Sequence, residues 1–362
     1  MSANSINWKI GVEIELTAPP GKSRLDLAAA IAAEHSGTVR RFFHPQVEPS
    51  KVTGNPVFHN VTPGFAVLDA EGRLIAQCVD DLTLQADFDK TSPPKKGWYR
   101  IVSDDARLVQ LIVQQCDAAD PLEHVLRPIA VLFGSRLEIS PAGMIRVADH
   151  SGAPIAIAAP LPGERERPCE LILPPIESDH AARIESILRI ARELGFGIPR
   201  EGATHIHFDA RPLESAAAIA ALSRILWQSS DDLLEFVQTN PHCRRLGNWP
   251  LDFYTWLQSV EFSRLEWSAA LESCQRFEIS KYCNFNLKNM LNQNTDKYTF
   301  EVRILPVYLH GQDVALAAAF FAAILRLAMA NPVGSDAPAD FNQLLGQLGL
   351  PPGSRTLKGS DN

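Results

Sequence analysis

The sequence predicts an α+β fold built on a largely antiparallel sheet, and three observations predict it. Strand-like and helix-like segments follow one another in mixed order, without the βαβ rhythm of a doubly wound fold. No glycine-rich phosphate loop joins a strand to a helix. Several short segments alternate apolar and ionisable residues with period two, as strands with one buried face do.

Taken in order, "GVEIEL" (11–16) is the first strand. Val12, Ile14 and Leu16 alternate with Glu13 and Glu15, so both carboxylates share one side. "SRLDLAAAIAAEHSG" (23–37) reads as a helix with Ser23 near its start and Gly37 beyond its end. Residues 56–84 read as short strands around a "DAEG" turn, and "DKTSPPKKG" (89–97) as a loop. "DDARLVQLIVQQC" (104–116) and "DPLEHVLRPIAVLFG" (120–134) are helical, the second with Asp120 as N-cap, Pro121 first in the helix and Gly134 as stop. "RLEIS", "MIRVAD" and "APIAIAA" are further strands, followed by the charged loop "PGERERP". "CELILPP" (169–175) is a strand, 178–197 an amphipathic helix and "THIHFDA" (204–210) a strand. Helical stretches near 213–240 and 253–275 precede the strands "KYCNFNL" (281–287) and "YTFEVRILP" (298–306). A final apolar helix ends near Ala330, before a polar tail.

Composition narrows the function classes. A chain of 362 residues with 46% hydrophobic and 21% charged content can build a substantial core. The net charge of −8 offers no basic face, so nucleic acid is not the expected partner. No apolar run has the length of a membrane span, since Arg326 interrupts the 313–330 stretch, and the N-terminus shows no signal-peptide run. Six cysteines without a C-x-x-C pair argue against a zinc ribbon or a disulfide framework and fit a reducing cytoplasm.

The chemistry lies in three strands that repeat one pattern. Glu13 and Glu15 form E-x-E; His205, His207 and Asp209 alternate with Ile206 and Phe208; Glu301 and Arg303 alternate with Phe300, Val302 and Ile304. An isolated E-x-E is ordinarily a solvated sheet face. Histidine, however, is a poor choice for a plain surface strand and a good metal ligand. Glu170 stands inside an apolar strand, where it needs a metal or a partner such as Arg165 or Arg167. Carboxylates with an imidazole form a hard, oxygen-rich set that suits Mg²⁺ or Mn²⁺ better than zinc. Arg303, two residues from Glu301, is placed to neutralise a transferring phosphoryl group.

At these residues the sequence resembles the amidoligase family of the carboxylate–amine ligase superfamily, which includes glutamine synthetase and glutamate–cysteine ligase. The matching pieces are "GVEIEL", "DLTL" (81–84), "ELILPP", "HIHFDA", "KYCNFNL" and "FEVRILP". The resemblance implies a glutamine-synthetase-like antiparallel sheet, curved into a half-barrel with helices on its convex side. It implies an ATP- and Mg²⁺- (or Mn²⁺-) dependent amide-forming ligase with two or more ions, acting through an acyl phosphate on small-molecule or peptide substrates. On it Glu13, Glu15, Glu170, His207 and Glu301 are metal ligands, Arg303 contacts phosphate, and His205 ligates metal or orients substrate. Asp81 and Thr83 touch the amine, and Arg244, Arg245, Lys281, Asn284 and Asn286 are candidates for nucleotide or substrate. Residues 1–335 then form one catalytic domain with an inserted subdomain at about 85–168, and 336–362 a short helix and polar tail. The oligomeric state is left open.

The sequence departs from the family in two places. The separation of "DLTL" from "ELILPP" is long, so "VSDDARL" (102–108) competes with Asp81 and Thr83. Lys281 stands where arginine is expected, and offers a point charge rather than a fork. Asn284 and Asn286 serve equally as structural hydrogen-bonders, and Arg244 and Arg245 equally as a surface helix end. Other readings are a non-haem iron oxygenase using His207, Asp209 and a distant histidine such as His310, a non-catalytic binding or scaffold protein, and a guanidino kinase on the same fold.

Overall fold

The structure is a computed structural model that describes residues 6–52, 55–293, 295, 297–331 and 338–357. Helices and strands are mixed, and the described strand pairings are antiparallel and unclosed, as the alternation predicts. Backbone contacts divide the chain into two units: residues 1–15, 173–192 and 200–362, and residues 16–172 with 193–199.

The first strand, β1 (Ile10–Thr17), lies mostly in the first unit. The second unit then contains α1 (Arg24–Glu34), β2 (Thr38–Val52), β3 (Asn55–Leu68), β4 (Leu74–Val79), β5 (Tyr99–Ser103), α2 (Ala106–Gln115), α3 (Arg127–Leu132), β6 (Glu138–Ile139), β7 (Ile145–Ala148), β8 (Pro154–Pro160) and the start of β9 (Pro168–Ile176). Its strands are ordered β9-β4-β3-β5-β8-β7-β6, with β2 along the other side of β3. Residues 56–68 are thus one long strand rather than two short ones. Pro63 is tolerated because it falls in a gap on one edge: β5 pairs with β3 as far as Val61 and β4 begins at Phe65.

The helix expected from Asp120 begins only at Arg127. Pro128 explains this. It has no N–H to bond the carbonyl of His124, so a helix cannot run through it, whereas it fits the first turn of one that starts beside it. Val61, Ile101, Ile112, Ile129 and Val147 are buried together in this unit's core.

The first unit contains α4 (His180–Glu193), β10 (Thr204–Asp209), α5 (Ala216–Gln228), α6 (Ser230–Phe236), α7 (Leu251–Leu257), α8 (Val260–Ser263), α9 (Trp267–Cys274), β11 (Phe285–Asn286), α10 (Lys288–Leu291), β12 (Thr299–Leu305), α11 (Gly311–Ala330) and α12 (Phe341–Gln347). The two long helical stretches are segmented. Ser215 accepts from Ala218 N and Ser259 from Phe262 N, so serines cap new helices within them.

Strands run β11-β12-β10-β1 in this unit. Ile10, Val12, Ile14, Ile206, Phe208, Phe300, Val302 and Ile304 are almost wholly buried. Phe321 of α11 meets Phe285 of β11 at 6.1 Å between ring centroids, and Phe285 stacks on Phe300 at 6.4 Å. By length and composition α11 is apolar enough to cross a membrane. Here it is a core helix, with Val314, Phe321, Ile324 and Leu325 buried. Its start approaches α4 so closely that a Cβ on Gly311 would lie 2.3 Å from Ala181 O.

Candidate active site

Strand register gathers the ionisable residues of the first unit. Glu13 pairs with His205 and Gly11 with His207 across β1 and β10. His207 pairs with Glu301 across β10 and β12, and Glu301 with Asn286 across β11. Alternation sends Glu13, Glu15, His205, His207, Glu301 and Arg303 to the face opposite the aromatic and aliphatic set. That face is not solvated: Glu13, Glu15, His205, His207, Asn286 and Glu301 are all buried.

The contacts are close. His207 Nε2 lies 3.2 Å from Glu13 Oε1 and 3.7 Å from Glu301 Oε1. His205 Nδ1 lies 3.4 Å from Glu13 Oε2 and 3.7 Å from Glu301 Oε1, and its Nε2 is 3.8 Å from Glu15 Oε1. Ala203 N donates to Glu15 Oε2 at 2.8 Å. Arg303 Nη1 donates to Glu301 Oε1 at 2.6 Å, Asn286 Nδ2 to Glu301 Oε2 at 2.7 Å, and Lys297 Nζ to Glu13 Oε1 at 2.6 Å. Three carboxylates thus share the face with two permanent cations. The hydroxyl of Thr299 is 3.2 Å from His207 Nδ1 and can fix the ring with Nε2 toward the carboxylates.

Electrostatics follow from this packing. Burial alone would raise the Glu13 carboxyl, but His207, the hydrogen bond with His205 and the Lys297 ammonium together hold it well below the usual range. Burial opposes ionisation of Glu301 too, yet His207, Arg303 and His205 bring it down to about 2. Burial, with Arg303 nearby, pushes His205 down toward its neutral form. Burial likewise works against the Arg303 charge, and Glu301 outweighs it, raising the guanidinium.

Among the described residues two buried atoms of this cluster, His207 Nε2 and Arg303 Nε, make no hydrogen bond. His207 Nε2 nonetheless faces Glu13 Oε1 at 3.2 Å, an ion-pair distance. The imidazole nitrogen is a potential cation ligand, the guanidinium nitrogen an anion donor. One ligand atom each from Glu13, His207 and Glu301 lie within 4.8 Å of one another. Ligands around Mg²⁺ at about 2.1 Å are separated by about 3 to 4 Å, so small side-chain adjustments would close this set on an ion.

The other sequence candidates have their own surroundings. Glu170 is half-buried on β9, paired with Val79 in the second unit. In the same unit Arg165 donates to Asp80 and Leu84 O, and Arg167 to Glu164 and Ala18 O. Asp81, in the same unit, accepts from Thr83 N at 2.7 Å and Thr83 Oγ1 at 2.8 Å, closing a local turn. Asn284 bonds Gly247 N, Ser230 and Asn248. Arg245 covers the Tyr282 ring at 4.7 Å, Lys281 is 5.3 Å from it, and Arg244 is exposed. Asp209 pairs with Arg211 at 2.7 Å and His310 is exposed at the start of α11, an arrangement that lends nothing to an iron triad. Lys297 and Thr299 went unnoticed in the sequence. Their signal was present, since Lys297, Thr299, Glu301 and Arg303 share one parity.

A family model described as "Putative amidoligase enzyme" matches residues 6–325. No curated protein and no solved structure matches the chain.

Proposed function

The chain belongs to the amidoligase family, which points to a ligase-type enzyme, and from that premise we propose that it joins a carboxylate to an amine with consumption of ATP. The observation that carries the proposal is the convergence of Glu13, His207 and Glu301, whose ligand atoms lie within 4.8 Å of one another, beside the buried Arg303 Nε, which makes no hydrogen bond among the described residues. Clustered carboxylates with an imidazole call for a cation, and a buried guanidinium donor beside them calls for an oxyanion. A metal–phosphate pair satisfies both. On this reading the polar face of β11-β12-β10-β1 is the concave face of a glutamine-synthetase-like half-barrel.

Glu13, His207 and Glu301 would hold Mg²⁺ or Mn²⁺, with Glu15 and His205 available to a second ion or to substrate. When bound, the cation neutralises charge on the phosphoryl oxygens. Arg303 supplies fixed positive charge to the transferring group, and its anchoring on Glu301 sets the guanidinium in place before substrate arrives. A carboxylate oxygen is a poor leaving group, so direct condensation with an amine in water is unfavourable. Phosphorylation turns that oxygen into a phosphate, which leaves when the amine attacks the acyl phosphate. Burial of the face keeps water from competing for the acyl phosphate. The described cysteines are free thiols, which supports a reducing compartment such as the cytoplasm.

The test is a screen of ADP release with Mg²⁺ over carboxylate and amine panels, with mass spectrometry for a product equal to the two less water. Amide formed without ATP consumption would overturn the mechanism. ADP release with a phosphorylated product and no amide would make the protein a phosphotransferase instead.

A further inference from the structure

A cavity of about 440 Å³ opens in the first unit against Asn284, within the size range of small-molecule sites. Its wall also includes Ser230, Asp231, Asn240, Cys243 and Asn248. Strand β12 ties it to the carboxylate cluster. Arg303 N donates to Asn284 O at 3.0 Å, and two residues further on Asn286 bonds Glu301. Asn284 stands just before β11 and accepts from Gly247 N, so the cavity wall and the Glu301 partner are two residues apart on one short segment. From the opposite wall Thr239 Oγ1 donates to Ile304 O at 2.7 Å, pinning the 239–248 loop to the same strand.

The cavity is braced rather than collapsible. Asn240 Nδ2 donates to Arg200 O at 2.9 Å and Gly202 O at 2.8 Å. Ser230 Oγ donates to Asn248 Oδ1 at 2.9 Å, and Gly247 N donates to Asn284 Oδ1 at 3.0 Å. A ligand therefore meets a preformed wall of amide and hydroxyl groups.

Charge decides the class of ligand. Among the described lining residues Asp231 is the charged one; it is exposed and makes no ion pair among the described residues. Among the described residues no aromatic ring, lysine or arginine lines the cavity. A nucleotide base would find nothing to stack on, and a polyphosphate would face an uncompensated carboxylate. A cationic amine finds that carboxylate together with amide oxygens.

We propose that this cavity is the acceptor subsite of the ligase centre, and that Asp231 selects an amine substrate with a second cationic group remote from the reacting nitrogen. The assignment rests on the ligase reading of the Glu13–Glu301 cluster. The reacting amine must be neutral to attack, so the charge held by Asp231 belongs to another part of the substrate, as in a diamine or a basic amino acid.

Two measurements separate this inference from the reading it rests on. The first needs no turnover: binding of cadaverine and of pentylamine to the full chain, by calorimetry. Cadaverine should bind more tightly than pentylamine, Asp231→Asn should weaken cadaverine about tenfold, and Asp231→Glu should restore it. ATP with Mg²⁺ should not displace the diamine. No cadaverine binding to the parent, equal binding to Asp231→Asn, or displacement by ATP would each overturn the subsite. The second measurement is cadaverine-dependent ADP release, in which Asp231→Asn should raise the KM for the amine and leave the KM for ATP. ADP release from the parent that is absent with every amine would sink the ligase reading, while the binding arm still decides whether the cavity takes a cationic amine.

Discussion

Replacing Glu301 with glutamine tests the site most directly, because one carboxylate holds Arg303, Asn286 and the proposed cation together. The Glu301 carboxyl is brought from an ordinary value of 4.5 down to about 2. At 1.36 kcal/mol per pH unit, that is about 3 kcal/mol of folding stability at neutral pH, to order of magnitude. The folded value is depressed, so the stabilisation is present above the unfolded value of 4.5 and is lost as pH falls through the folded value of about 2. At pH 3 about half of it should remain. Urea unfolding of parent and Glu301→Gln at pH 7 and pH 3 reads this directly: the gap between them should shrink by about half as the solution is acidified. Calorimetric titration with Mg²⁺ should show weaker binding in the variant, and turnover should fall with it. A gap under about 0.5 kcal/mol at pH 7, no more than an ordinary surface substitution, would refute the argument. So would a gap that is the same at both pH values, or unaltered Mg²⁺ affinity.

Arg303→Lys should retain Mg²⁺ binding yet slow phosphoryl transfer at least about tenfold, since an ammonium cannot hold Glu301 and an oxyanion in one fixed plane; parent-like turnover with the true substrates would count against the role given to Arg303. Gly311→Ala should cost about 1–3 kcal/mol in urea unfolding, because its Cβ would lie 2.3 Å from Ala181 O and force α11 away from α4; an unchanged midpoint would show that this contact yields freely. Phe300→Ala should cost about 3–5 kcal/mol by removing a buried ring from the apolar side of the sheet, and a loss below about 1 kcal/mol would mean that the cavity collapses.

The sequence alone carried the alternation of β1, β10 and β12, because side-chain parity on a strand is a local property of the chain. It therefore showed that Glu13, Glu15, His205, His207, Glu301 and Arg303 lie opposite the apolar set on their own strands. A helix start written in local chemistry was legible too: Ser23 sits at the N-cap of α1 with Asp26 completing its capping box. Where chemistry competes, the sequence misled, as when Asp120-Pro121 offered a start that Pro128 forbids seven residues later.

Register belonged to the tertiary structure alone. Nothing within β10 states that His207 sits between Gly11 and Glu301, or that His205 faces Glu13, since each pairing is between residues about 100 to 200 positions apart, selected by packing of the opposite faces. The same packing brought Lys297 and Thr299 to Glu13 and His207, tied the Asp81–Thr83 turn to Arg165, and turned Asn284 toward a cavity while Asn286 held Glu301. It also decided that the charged face is buried. Burial converts Glu13 and Glu301 from part of a solvated strip into paired groups with lowered proton affinities. The physical reason is that desolvation and charge pairing depend on distances across strands, and those exist only once the chain has closed them.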